Sequence, residues 1–228
     1  MDYQKNIEKI PQVLRCAVTL GKFDGLHRGH QKLIQRVLEK KEQGLSAVVF
    51  AFDQSNRMIL SHEERRAKLE TMGVDLFLEC PLNERLRHML PEVFVKEILV
   101  DRLHVGFLAV GQDFRFGYER KGNAQLLQKM GQQYDFQVEV IPDETDGKRK
   151  ISSTYVREQL NEGKVEKVAE LLGEYFSTTG EVLHGRGLGH RKLMPTTNLV
   201  PPKEKLMPPN GVYITKSRFG DQQFHGIT

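Results

Sequence analysis

Gly21-Lys22-Phe23-Asp24-Gly25-Leu26-His27-Arg28-Gly29-His30 is the stretch on which the reading of this chain turns. An apolar segment, Val13 to Leu20, precedes it. Gln31 to Lys41 follows, with Leu33, Ile34, Val37 and Leu38 at helical spacing. The pattern predicts a strand, a glycine-rich turn and a helix with two histidines at its start. Glycines let the backbone come close to a ligand, and a helix N-terminus offers N–H groups and the positive end of a dipole. That geometry suits a triphosphate. His27 and His30, three residues apart, share a face of the first turn and can donate to charge developing on a phosphate during attack. The plain alternative is a surface turn with two solvated histidines. Zinc fits poorly, because only two histidines stand here and both cysteines, Cys16 and Cys80, lie elsewhere.

Outward from this stretch the chain alternates. Leu45 to Phe52 is a continuous apolar run, as in a buried parallel strand, and the polar loop Asp53-Gln54-Ser55-Asn56 ends it. Ser61 with Glu64 three residues on predicts a capped helix closing near Gly73. Val74 to Cys80 reads as a strand, a helix starts at Pro91, and Phe107 to Val110 is a fourth strand. Gly122 to Met130 is a short helix and Phe136 to Ile141 a fifth strand. Strand alternating with helix is the signature of an α/β doubly wound parallel sheet, whose carboxyl edge binds ligands.

Two further stretches carry chemistry. In Gly111-Gln112-Asp113-Phe114-Arg115-Phe116-Gly117, an extended backbone would send Phe114 and Phe116 to opposite faces. One ring could then stack on a planar ligand while Asp113 accepts from it; a core-facing aromatic pair in a turn is the equal alternative. In Ile151-Ser152-Ser153-Thr154-Tyr155-Val156-Arg157, three hydroxyls open a helix whose apolar positions run from Val156 to Leu172. Ser152 or Ser153 would cap it, and Arg157 would offer a planar fork to phosphate oxygens. A plain capped helix is the alternative. Asp143 to Lys150 reads as a charged, mobile connector.

From Phe176 the pattern turns to short strands (177–183, 212–216, 223–227) with prolines at 201, 202, 208 and 209 between them, a second β-type module. The 228 residues are 39% hydrophobic and 28% charged, ordinary for a globular protein, and the net charge of +4 is too mild to imply nucleic acid. No run is long enough to span a bilayer, and no apolar leader opens the chain. Two cysteines in apolar stretches read as reduced thiols and a cytoplasmic setting.

Together these stretches resemble the prokaryotic bifunctional riboflavin kinase/FAD synthetase family. The first is similar to its nucleotidyltransferase signature, Gly111–Gly117 to its flavin-site signature, and Ile151–Arg157 to its second nucleotide signature. The resemblance implies a Rossmann-like FMN adenylyltransferase domain, residues 1–173, and a truncated riboflavin-kinase-like β module, 174–228, as an incomplete β-barrel remnant. It implies transfer of AMP from ATP to FMN, giving FAD and pyrophosphate, with Mg²⁺ on the ATP. Gly21, Phe23, Gly25, His27, His30, Ser153, Thr154 and Arg157 would bind ATP, with His27, His30 and Arg157 catalytic. Asp113, Phe114 and Phe116 would bind flavin, and no resident metal is implied.

Two departures qualify the resemblance. The family's Pro-His-Pro is replaced by the Asp53–Asn56 loop. His184 to His190 and Pro195-Thr196-Thr197-Asn198 are similar to the start of the kinase site, with Thr196 and Asn198 at its ATP–Mg²⁺ positions, but the remaining strands and a glutamate base are missing. The expectation is therefore no riboflavin kinase activity, with self-association through open strand edges. A fragment of a bifunctional enzyme and a non-catalytic flavin- or RNA-binding paralogue stay as alternatives.

Overall fold

Strand β2 (Cys16–Gly21), β3 (Ser46–Asp53), β4 (Leu76–Pro81) and β5 (Val105–Gly111) are built from the apolar runs of the sequence. The computed structural model describes residues 1–7, 10, 15–53, 57–183 and 197–228. In it these strands pair in parallel, with β1 (Asp2–Gln4) and β6 (Gln137–Ile141) at the edges, in the order β1-β4-β3-β2-β5-β6. Val18 pairs with Val48 on one side and Leu108 on the other, so β2 is the centre of the register. Both faces are covered, which is why the strands are apolar throughout rather than alternating. Helix α1 (Arg28–Leu38) lays Ile34 and Val37 on one face, against Val49, Phe77, Ala17, Ala47 and Phe107. On the other face, Phe94, Ile98 and Leu99 of the segment after Pro91, together with Leu127, pack with Val18, Phe50, Leu78 and Leu108. Each such buried side chain contributes about 1.5–3 kcal/mol against leaving it in water.

Helix α2 (His62–Thr71) opens with the expected capping box: the Glu64 N–H donates to Ser61 Oγ at 3.2 Å, and the Ser61 N–H donates to Glu64 Oε2 at 2.9 Å. Helices α3 (Glu84–His88) and α4 (Pro91–Val93) follow, α4 running on as a π-helix through Phe94–Val100. The helix expected near 122–130 is α5 (Ala124–Tyr134).

Three readings are corrected. The sheet has six strands rather than five; β1 is three residues long and its polar sequence carries no period. The long helix after Ile151 is two, α6 (Ser153–Asn161) and α7 (Val165–Leu172), separated where Gly163 turns to φ +74°. The 143–150 connector is a tied hairpin, β7 (Thr145–Asp146) with β8 (Arg149–Lys150). Its neighbour Glu144 pairs with Arg28 and Lys32, and Asp146 accepts from the Tyr155 hydroxyl at 2.8 Å.

The C-terminal stretch adds two antiparallel pairs, β9 (Glu181–Leu183) with β10 (Asn198–Val200) and β11 (Ile214–Phe219) with β12 (Gln222–Ile227). Val182, Leu199, Ile214 and Ile227 are exposed on them. The kinase-like motif from His184 to Thr196 and loop residues 54–56 lie outside the described residues.

Candidate active site

The strand order reverses between β2 and β5, and in parallel sheets ligands bind beyond the carboxyl ends of the strands at such a switch point. The turn that leaves β2 at this point has an unusual conformation. Phe23 has φ +50°, Gly25 +83° and Leu26 +46°, three left-handed residues within four. Packing holds them there, since Phe23, Asp24, Gly25, Leu26 and His27 are all buried. A Cβ on Gly25 would lie 3.0 Å from the Ile59 side chain, so only glycine fits both the torsion and the space.

His27 is the N-cap of α1, its Nδ1 accepting the His30 N–H at 3.4 Å. That acceptor role puts the imidazole proton on Nε2, which becomes the donor. The His30 ring stacks on His27 at 3.7 Å and meets Phe23 at 5.0 Å. Burial pushes the His27 pKa down to about 4, with the nearby Lys150 charge adding to the fall. His30 lies well below the ordinary histidine value, first through burial and then through His27, Arg65 and Lys150. Both imidazoles are therefore neutral at pH 7 and act as N–H donors, not cations.

Helix α6 meets this turn. Ser152 is the cap, accepting the Tyr155 N–H at 3.2 Å, which leaves Ser153 free for another bond. Ser153 Oγ donates to the Asp24 carbonyl at 2.9 Å. Arg157 donates to Asp24 Oδ2 from Nε at 3.2 Å and Nη2 at 2.6 Å, and Nη2 also donates to the Arg57 carbonyl at 2.6 Å. The second Asp24 oxygen takes the Ile59 N–H at 2.8 Å. The structure thus brings His27, His30, Gly21, Phe23 and Gly25 together with Ser153 and Arg157, and leaves Thr154 exposed at the start of α6. It also shows the Arg157 fork engaged by Asp24, where the sequence reading offered it to phosphate. Asp24 is the organising residue that sequence reasoning passed over. It stood in the quoted turn, but its partner lies 133 positions away.

The Asp113–Phe116 segment follows β5, the strand beside β2 at the switch point. It is a turn, not an extended strand, so Phe114 and Phe116 do not point to opposite faces. Their rings stack at 5.6 Å with an interplanar angle of 14°. Phe116 is buried against Phe94 and belongs to the core, with Phe114 half-buried over it. Asp113 is held by Lys150, whose Nζ lies 2.7 Å from Asp113 Oδ2 and 2.7 Å from Asp143 Oδ1. The Lys150 hydrogen bond, foremost, holds the Asp113 carboxyl below its usual range. For Lys150 itself, burial works to lower the pKa, but the two carboxylates outweigh it and the ammonium stays above the ordinary value. Lys150 is a second residue whose role the sequence does not single out, hidden in a run of three basic residues. Among the described residues, no cluster of three or more metal-ligating side chains forms.

Comparison with known proteins agrees with this architecture. A family model described as FAD synthetase matches residues 9–155, and one described as riboflavin kinase matches 172–228. The chain belongs to the bifunctional riboflavin kinase/FMN adenylyltransferase family. A relative of that name from Buchnera aphidicola subsp. Schizaphis graminum is 35% identical over 97% of this chain and 74% of its own length. The Escherichia coli K12 relative is 36% identical over 91% of this chain and 69% of its own, and the one from Pseudomonas fluorescens 37% over 95% and 73%. A crystal structure named as a macrolide-efflux protein from Streptococcus pneumoniae superposes with a TM-score of 0.85 at 28% identity, covering 99% of this chain and 77% of that one. The efflux in that name is said of the other protein; the likeness carries the fold. No helix among the described residues is long and apolar enough to cross a membrane. The chain is a nucleotidyltransferase-type enzyme carrying a FAD synthetase domain and riboflavin kinase sequence.

Proposed function

We propose that residues 1–173 form the catalytic module and transfer AMP from ATP to FMN. An FMN phosphate oxygen attacks the α-phosphorus of ATP and forms a new P–O bond. The bond from the α-phosphorus to the bridging oxygen breaks, and pyrophosphate leaves with the electron pair. The nucleophile is already an anion, so no general base is required. Positioning and charge stabilisation carry such a step. We take Mg²⁺ to arrive on the triphosphate, whose oxygens are the hard ligands it prefers.

One observation supports this most: the Gly21–His30 turn and the α6 N-terminus meet through Asp24 at the switch point of the sheet. In this reading Nε2–H of His27 and the ring of His30 donate to the phosphates. Gly21, Phe23 and Gly25 shape the nucleotide pocket, and Ser153 and Thr154 face its tail. Arg157 acts through Asp24, fixing the turn. Asp113 and Phe114 border the flavin, with Phe116 backing Phe114 from the core. The buried, unpaired Cys16 and Cys80 favour a reducing, cytoplasmic setting.

Residues 174–228 form the kinase-like module in this reading. Its described strands make two two-stranded sheets with their apolar side chains in solvent, so they do not wall off a pocket. We propose that these 228 residues do not phosphorylate riboflavin by themselves.

The test is incubation of the pure protein with FMN, ATP and Mg²⁺, following FAD and pyrophosphate, with riboflavin replacing FMN in a second arm. FAD and pyrophosphate in equal amounts are expected from FMN, and no FMN from riboflavin. His30→Ala is expected to lower kcat by about 10²-fold, the scale of losing one preorganised donor. Near-normal turnover in that variant, or flavin binding without pyrophosphate release, defeats the reading.

A further inference from the structure

Beneath the nucleotide turn lies a buried ionic cluster that the proposed reaction does not use. Arg65, on α2, has a side chain 1% exposed, and its Nη2 is paired with Glu79 of β4, itself 2% exposed. Glu79 also accepts from the Tyr3 hydroxyl and lies 2.5 Å from His62 Nδ1. The other arm of the guanidinium leaves the cluster: Nη1 donates to the Lys22 carbonyl at 3.1 Å. Lys22 is the residue between Gly21, where β2 ends, and Phe23, where the left-handed run begins.

A buried ion pair often stabilises a fold no better than an apolar pair of the same shape, so stability alone does not account for this one. Arg65 is not even fully satisfied, since its Nε finds no partner among the described residues. What it does is reach across 43 positions of sequence to hold one backbone carbonyl. That carbonyl fixes the peptide entering Phe23, whose buried ring stands 5.0 Å from His30. Burial foremost depresses the His30 pKa, then His27 at the helix cap, with the charges of Arg65 and of Lys150 in the hairpin adding to it.

We propose that Arg65 is a positioning residue for adenylyl transfer: clamped by Glu79, it pins the Lys22 carbonyl and so sets Phe23 and His30 for the phosphates. The inference rests on the adenylyltransferase reading above. Groups that act only in the transition state lower kcat when displaced and leave KM alone. Arg65 is therefore expected to matter to kcat.

Arg65→Lys keeps the charge and loses the fork. It is expected to melt like wild type, hold KM for ATP and FMN within about threefold, and lower kcat by about tenfold or more. Because a lone buried Glu79 threatens the fold when Arg65 is truncated, Arg65→Met/Glu79→Met removes both charges. It is expected to fold, with kcat still low. An NMR pH titration of the His30 ring reads the link without turnover, and in Arg65→Met/Glu79→Met the His30 chemical shifts at neutral pH are expected to move away from wild type. Wild-type turnover in either folded variant, a loss confined to KM, or unmoved His30 signals overturns the inference. Failure of the wild-type protein to make FAD strikes the parent reading instead, and the His30 signals still test the link.

Discussion

His27 shows how burial changes what a residue can do. An exposed imidazole at a helix N-terminus would titrate near 6.5 and offer a charge to phosphate. Here desolvation, with Lys150, moves the value to about 4, so the imidazole at the start of α1 is a neutral N–H donor, the form in which the proposed reaction would use it. The same shift is a statement about stability. Between about 4 and 6.5 the unfolded chain binds a proton at His27 that the folded chain refuses. Stability is complete above about pH 6.5 and is lost as pH falls toward 4, by about 3 kcal/mol from this residue. His30 adds in the same direction. Urea denaturation at neutral pH and near pH 4.5 checks this, with His27→Gln expected to lose less stability between the two than wild type. Equal losses in both proteins would show that His27 is not held neutral by the fold.

At the scale of elements, the turn between β2 and α1 joins torsion and packing at one glycine. Gly25 combines φ +83° with Ile59 atoms at 3.0 to 3.2 Å from where a Cβ would stand. Gly44, which ends the 3₁₀ extension of α1, has a similar φ of +79° but open space around it. Gly44→Ala therefore carries backbone strain alone, about 1 kcal/mol, while Gly25→Ala adds a clash and is expected to cost about 2–3 kcal/mol. Gly25→Ala also pushes Ile59, whose N–H holds Asp24, so FAD formation is expected to fall with it and to survive in Gly44→Ala. Melting curves and the coupled pyrophosphate assay decide; equal cost at both positions would mean that Ile59 yields freely. This turn, the Ser61–Glu64 box and the four central strands were legible in the sequence because each rests on contacts within a few residues or on unbroken apolar runs. β1 was not, since Asp2-Tyr3-Gln4 becomes a strand only by pairing with Leu76–Leu78. For the aromatic pair the sequence left two readings equal, and the core-facing turn is the one found: Phe116 is drawn into the core by Phe94, a contact no local pattern foretells. Asp24 with Arg157, and Arg65 with Lys22, were hidden by separations of 133 and 43 residues.

Across the whole molecule, one carboxylate ties the nucleotide-binding sheet to the C-terminal stretch. Glu64 Oε2 closes the cap of α2 and also takes Lys205 Nζ at 2.5 Å, while Oε1 takes the Thr179 N–H at 2.8 Å and its hydroxyl at 3.2 Å. The Lys205 side chain is fully buried and lies over the Phe176 ring at 4.6 Å. Burial foremost lowers its pKa, opposed by Glu64. Beside it the backbones join: the Met58 N–H donates to the Glu204 carbonyl and the Leu206 N–H to the Met58 carbonyl, at 2.6 and 2.7 Å. Met58 precedes Ile59, so the C-terminal stretch is one residue removed from the bond that holds Asp24. Glu64→Gln leaves a buried ammonium without its counter-charge and is expected to destabilise by about 3 kcal/mol. Adding Lys205→Met, which removes that ammonium too, is expected to restore most of the loss. Urea denaturation gives both energies, and amide hydrogen exchange at Met58 and Leu206 locates them: protection there is expected to fall in Glu64→Gln before the central strands open. A Glu64→Gln protein as stable as wild type, with Leu206 still protected, would mean that the C-terminal stretch is held by its backbone bonds alone.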